Sequence, residues 1–160
     1  MGLPTAVTVE LLADRQDFIR AVSELRWREW GHWPEPTDPA WWLATTIREA
    51  SRDRLPITWV ASNTNGALGA VGLGEFDIEE RRDRSPWVLG MIVHPQWRGR
   101  GVGRLLLAQL EAWAQGRGYE TVWVATGGSA VRFYERCGWR MHEAVERKPG
   151  PALSVLAKRL

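Results

Sequence analysis

The chain has 160 residues, a formal net charge of +2 and a single cysteine, Cys137. That length fits one domain, 1–160, with a core of its own. The small charge gives no footprint for nucleic acid, no run of about 18 apolar residues can span a membrane, and the opening residues carry neither a signal peptide nor a myristoylation pattern, so a soluble cytoplasmic protein without an internal disulfide is expected.

Alternation over Thr5–Leu12 predicts a first strand. Asp14 is placed to cap a helix from Arg15 to about Trp30, with Phe18, Val22 and Leu25 at helical spacing. Gly31-His32-Trp33-Pro34-Glu35-Pro36 breaks it. Asp38-Pro39 then reads as the cap and first-turn proline of a second helix through about Arg52. Ile57–Ser62 and Leu68–Phe76 read as a hairpin across Asn63-Thr64-Asn65-Gly66, whose Asn-Gly is a strong turn signal. Asp77–Ser85 is a charged loop. Trp87–Val93 lacks polar alternation and predicts a central strand buried on both faces. A third helix is expected from about Gly101 to Gln115, ended by Gly116-Arg117-Gly118. Thr121–Thr126 is the next buried strand, Ser129 is placed to cap a fourth helix to about Cys137, and Trp139–Arg147 and Leu153–Ala157 are the last strands.

The most informative stretch joins the central strand to the third helix. In Arg98-Gly99-Arg100-Gly101-Val102-Gly103, three glycines strip side chains from a turn. Backbone N–H groups there can approach a bound group closely. The helix that follows adds the positive end of its dipole, and the arginines add charge suited to phosphate oxygens. The pattern is not a P-loop, because no Lys-Ser/Thr follows the glycines. It is not a Rossmann fingerprint either: the glycines stand late in the chain, and the next strand ends in Thr126-Gly127-Gly128 instead of an acidic residue.

Arg98-Gly99-Arg100-Gly101-Val102-Gly103, preceded by Val93-His94-Pro95, resembles motif A of the GNAT superfamily of acetyl-CoA-dependent N-acetyltransferases. A second segment, Ala130-Val131-Arg132-Phe133-Tyr134-Glu135-Arg136-Cys137-Gly138-Trp139, resembles the Ala-x-x-x-Tyr-x-x-x-Gly-aromatic stretch of the same superfamily. The likeness is good over about Trp87–Met141 and loose over Thr58–Phe76. It implies an α+β fold in which a mixed central sheet, flanked by helices, splays open to hold the cofactor. It also implies an enzyme, an acyltransferase with acetyl-CoA as co-substrate and no metal.

The same resemblance assigns roles. Main-chain amides of Arg98, Gly99, Arg100, Gly101, Val102, Gly103 and Arg104 would receive the coenzyme diphosphate. Met91, Ile92 and Val93 would lie along the pantetheine arm, with strand-like hydrogen bonds made by Met91 and Val93, and a backbone N–H there would polarise the acetyl carbonyl. Thr126, Ser129 and Phe133 are further expected contacts; many relatives carry an asparagine where this chain has Gly127. Tyr134 would protonate the departing thiolate, or else pack under the cofactor. Many relatives keep a glutamate on the central strand as base. This chain has none there, which leaves Glu75, the less favoured Asp77, or ordered water. His94 reads as structural, and His32 is a remote alternative. Cys137, at a helix C-terminus, is poorly placed to be a thiolate nucleophile.

Eleven tryptophans are unusual, and five of them (Trp27, Trp30, Trp33, Trp41, Trp42) fall in one segment. In the superfamily this region builds the acceptor wall. Trp27, Trp30 and Trp33, with Glu29 and the nearby Glu35 and Asp38, suit a cationic amine by cation–π and charge pairing. A small-molecule amine is therefore the expected acceptor. A protein or peptide amine, or a non-catalytic acyl-CoA sensor, stand as alternatives. By analogy with relatives, a homodimer is expected.

Overall fold

The computed structural model describes residues 6–32 and 34–160. Strand β1 (Thr8–Leu11) is followed by two single 3-10 turns at Leu12–Asp14 and Gln16–Phe18 before helix α1 (Ile19–Trp30). The helix thus starts four residues later than Arg15. Asp14 does not cap it: its carboxylate pairs with Arg52, while Arg15 bonds Glu10 and Asp17, each at 2.9 Å. Helix α2 (Pro39–Arg48) begins as its sequence demands, with the Asp38 carboxylate accepting from the Ala40 N–H at 2.9 Å. It stops at Arg48 instead of Arg52. There the Thr58 hydroxyl takes up the Glu49 carbonyl at 2.9 Å, and the chain turns into strand β2 (Ile57–Asn63).

Strand β3 (Gly66–Gly74) ends two residues short of Phe76. Next come strand β4 (Trp87–Val93), helix α3 (Val102–Gly116), strand β5 (Thr121–Thr126), helix α4 (Ala130–Arg136), strand β6 (Arg140–Val145) and strand β7 (Leu153–Arg159). The seven strands form one sheet in the order β1-β2-β3-β4-β5-β7-β6. It is mixed: β1–β2, β5–β7 and β6–β7 are antiparallel, whereas β4 and β5 run parallel with Trp87 opposite Trp123. This is the expected α+β class and element order.

Contacts divide the chain into two units. The first takes the described residues of Met1–Gly72 with Gly90–Leu110, and the second takes Leu73–Leu89 with Glu111–Leu160. In the first unit, Val22 of α1 packs with Leu12, Val60, Ala70 and Ile92, and Phe18 and Leu25 close over them. The predicted helical stripe is therefore the buried one. The apolar face of α3 is buried through Leu106, Leu107 and Leu110, each contributing about 1.5–3 kcal/mol by leaving water. The second unit has its own core of Ile78, Trp87, Val145 and Val155, with Trp123, Ala125 and Leu153 against it. Among the described residues, no helix is long and apolar enough to cross a membrane.

Candidate active site

The turn between β4 and α3 is built by backbone capping followed by glycine. The His94 N–H donates to the Leu68 carbonyl at 2.7 Å, and His94 Nδ1 accepts from the Gln96 N–H at 3.1 Å. His94 thereby caps the 3-10 turn Pro95–Trp97, the structural role expected of it. Gly99 and Gly101 then take φ of 75° and 85°, a region that costs other residues energy. Among the described residues, the chain neighbours on either side aside, a Cβ added at either would meet no atom within 4 Å. The space beside each of these glycines is thus open.

Helix α3 starts at Val102, and its first turn closes when the Leu105 N–H reaches the Gly101 carbonyl at 3.1 Å. The N–H groups of Val102, Gly103 and Arg104 belong to that first turn, where no carbonyl inside the helix can serve them. Val102 is itself buried, so it offers only its backbone. Arg100 is exposed and lies over the Trp97 ring, 4.9 Å from its centre, and Arg104 is also exposed. Arg98 is held differently. Its Nε–H donates to the Val93 carbonyl and its Nη2 to the Glu29 carboxylate, both at 3.1 Å. Open left-handed glycines, first-turn amides and arginines fit a diphosphate well.

Upstream in β4, Gly90 breaks the strand conformation with φ of 51°. Its carbonyl accepts from Arg26 Nε at 3.2 Å. Arg26 comes from α1, is 1% exposed, and also donates from Nη1 to the Thr46 hydroxyl and the Glu49 carboxylate, each at 3.3 Å. Among the described residues its buried Nη2 has no hydrogen-bond partner. Burial pushes the Arg26 guanidinium below its ordinary pKa, with Glu49 opposing. Burial also raises the Glu49 carboxyl, with Arg26 and Arg48 opposing. The sequence reading missed this group. The signals were an arginine four residues after Val22 on the apolar stripe of α1, and a lone glycine inside an apolar strand.

The tryptophan-rich segment folds around Thr37. Trp27 Nε1 donates to the Thr37 carbonyl at 3.1 Å and Trp42 Nε1 to its hydroxyl at 2.7 Å, and that hydroxyl donates to the Gly31 carbonyl at 3.1 Å. Trp30 stacks on Trp42 with centroids 6.1 Å apart, and Trp41 meets Trp42 edge-on at 5.0 Å. Trp30 and Trp41 keep 37% and 54% of their surface exposed, so the cluster presents aromatic surface outward. Trp33 lies outside the described residues. Two of the nearby carboxylates are already engaged, Asp38 as the cap of α2 and Glu29 with Arg98, while Glu35 is exposed.

In the second unit, Tyr134 sits on α4 and is 2% exposed. Its ring packs edge-on against Phe133 and Trp139 at 5.2 and 5.3 Å. Burial, then the neighbouring Cys137 and Asp77, lift its hydroxyl pKa well above the usual value. Ser129 stands before α4 but does not cap it. Its own φ and ψ of −66° and −18° are already helical, whereas a cap needs extended backbone. Thr126, the last residue of β5, is half-buried. Glu75 was expected on the third strand. It lies one residue past β3, exposed, because the strand ends at Gly74. Cys137 is at the C-terminal cap of α4, where Lys158 Nζ donates to its carbonyl at 2.6 Å. Among the described residues, no cluster of His, Cys, Asp or Glu is arranged to hold a metal ion.

The family model of the acetyltransferase (GNAT) family matches residues 19–139. An aminoglycoside N(6')-acetyltransferase type 1 of Stenotrophomonas maltophilia is 33% identical over 94 residues, which cover 55% of this chain and 58% of that protein. The chain thus spans little more than half the length of that relative. Among solved structures, an aminoglycoside 6'-N-acetyltransferase complexed with coenzyme A superposes with a TM-score of 0.77 at 15% identity, covering 95% of this chain and 96% of that one. A variant of the spermidine N-acetyltransferase of Vibrio cholerae gives a TM-score of 0.70 at 18% identity, covering 96% and 93%. These likenesses show a shared fold, and the family match takes in both motifs read from the sequence: the chain belongs to the acetyltransferase (GNAT) family.

Proposed function

We propose that this chain transfers the acetyl group of acetyl-CoA to a primary amine of a small polycationic molecule of the aminoglycoside or polyamine kind. The observation that carries the reading is the open glycine turn at the N-terminus of α3, a cradle that a side chain at Gly99 or Gly101 would obstruct. Acetyl-CoA brings a diphosphate and an activated thioester. The amides of 98–104 hold the diphosphate, with Arg100 and Arg104 adding charge. The backbone of Met91 and Val93 pairs with the pantetheine arm, while Ile92, 5% exposed, turns its side chain into the core. Thr126, Ser129 and Phe133 add contacts.

An N–H on β4 stabilises the charge that gathers on the acetyl oxygen as the amine attacks directly. The Tyr134 hydroxyl, kept protonated by its burial, gives its proton to the departing thiolate. Glu75 takes the proton of the amine, directly or through water. The tryptophans of α1 and α2, with Glu35 beside them, receive the cationic acceptor through ring faces and charge. The 33% identical relative, named as an aminoglycoside acetyltransferase, supports this choice of amine.

Release of free CoA thiol tests the proposal. An aminoglycoside with a 6'-amine, the same scaffold with a hydroxyl at that position, spermidine and a peptide panel serve as acceptors. Release with the 6'-amine and not the 6'-hydroxyl is the expected result. Release with peptides alone, or acetyl-CoA binding without any release, overturns it.

A further inference from the structure

We infer that Arg26 is a positioning residue for acetyl transfer, holding the Gly90 carbonyl so that the Met91 N–H faces the thioester oxygen. The inference rests on the acetyl-transfer reading and names the residue that aims one of its donors. In a trans peptide the carbonyl and the following N–H point in opposite directions. Among the described residues, the cis bonds precede Pro56, Pro86 and Pro149, so the Gly90–Met91 bond is trans. Arg26 Nε holds the Gly90 carbonyl at 3.2 Å, and this bond fixes the direction of the Met91 N–H away from α1.

Three further observations support a role beyond packing. Gly90 has φ of 51°, which turns this peptide out of the strand's regular course. A Cβ at Gly90 would meet Arg26 Nε at 2.6 Å and Cζ and Nη2 at 2.8 Å, so glycine and arginine fit as a pair. Finally, among the described residues the guanidinium keeps a buried donor, Nη2, with no acceptor. An apolar side chain would fill this space without that penalty. What the arginine adds is a positive charge against a carbonyl, which polarises the peptide and strengthens the N–H at its other end.

The test is Arg26→Met, made alone and together with Glu49→Leu. The double variant leaves no buried carboxylate without its partner, so a folded protein is available to measure. The readouts are kcat, acetyl-CoA affinity by calorimetry, and the infrared band of carbonyl-labelled acetyl-CoA bound without acceptor. Wild type is expected to lower the carbonyl frequency. In the variants the band moves back toward its solution position, kcat falls by about tenfold to a hundredfold, and acetyl-CoA affinity stays within about twofold. A variant with an unchanged band and kcat overturns the role of Arg26 alone. A wild type that neither binds acetyl-CoA nor releases thiol overturns the acetyl-transfer reading, and this inference with it.

Discussion

Glu29 of α1 and Arg98 of the glycine turn form an ion pair at 3.1 Å, with 44% and 49% of their side chains exposed. The pair joins a carboxylate expected to face the acceptor to an arginine expected to face the diphosphate. It neutralises one of the turn's positive charges and, through the second bond of Arg98 to the Val93 carbonyl, ties α1 to the end of β4. Glu29→Gln releases that charge. Acetyl-CoA is then expected to bind up to about fivefold more tightly at low salt, the range an exposed pair carries, and the gain should fade as salt is added. Titration calorimetry at two salt concentrations checks this. Should the variant instead weaken the amine and leave acetyl-CoA unaltered, Glu29 serves the acceptor.

Gly101→Val tests the cradle. At φ of 85° an L side chain costs about 1–2 kcal/mol, or a fall in Tm of roughly 2–8 °C for a chain of this size. The larger effect is on binding. The branched side chain enters the open space above the turn, and coenzyme A affinity is expected to drop by about tenfold or more, the worth of a charge-assisted hydrogen bond. Calorimetry of the folded variant reads it. Undiminished affinity would place the diphosphate elsewhere.

What the sequence made legible was whatever a few adjacent residues decide. Gly99 and Gly101 carry their backbone conformation in their identity. Asp38-Pro39 caps α2 by a contact two residues long, and Trp87–Val93 is apolar enough to be a strand in any register. The misplaced features depend on partners far along the chain. Asp14 ends a 3-10 turn and pairs with Arg52, 38 residues on, instead of capping a helix. Arg26 on an apolar stripe has a meaning only once Gly90, 64 residues away, presents its carbonyl. Glu29 looked available until Arg98 claimed it. Local chemistry can be read in order, but pairings between distant charges require the fold.

Acid stability should depend on Glu143. Arg81 donates to both of its oxygens at 2.5 and 2.8 Å and Arg84 donates at 3.1 Å. The Arg81 hydrogen bonds, reinforced by the charges of Arg81 and Arg84, hold the carboxyl at about 2, below its ordinary 4.5. A lowered folded pKa stabilises the protein above the unfolded value and loses that effect as pH falls through the folded one. The contribution is therefore complete above about pH 4.5 and disappears toward pH 2. Glu143→Gln is expected to be less stable than wild type at pH 6, with the two converging near pH 2. Thermal melts across that window decide it, and a constant difference would assign the effect to packing instead.

Tyr134 makes the opposite pH prediction, and it separates two roles that share one side chain. Its hydroxyl is lifted above the ordinary 10.0, first by burial and then by Cys137 and Asp77. A raised folded pKa stabilises the protein fully below the unfolded value, and the effect is lost as pH climbs beyond it. Wild type should therefore lose stability from about pH 10 upward more steeply than Tyr134→Phe, which has no proton to lose. A tyrosine that only packs predicts this and nothing more, because the phenylalanine ring still meets Phe133 and Trp139. A tyrosine that protonates the thiolate predicts in addition that Tyr134→Phe lowers kcat by about a hundredfold or more while acetyl-CoA affinity stays the same. It predicts as well that the wild-type rate shows no basic fall due to this residue below pH 10. Turnover that matches wild type in the phenylalanine variant would leave Tyr134 a packing residue and pass the proton to solvent.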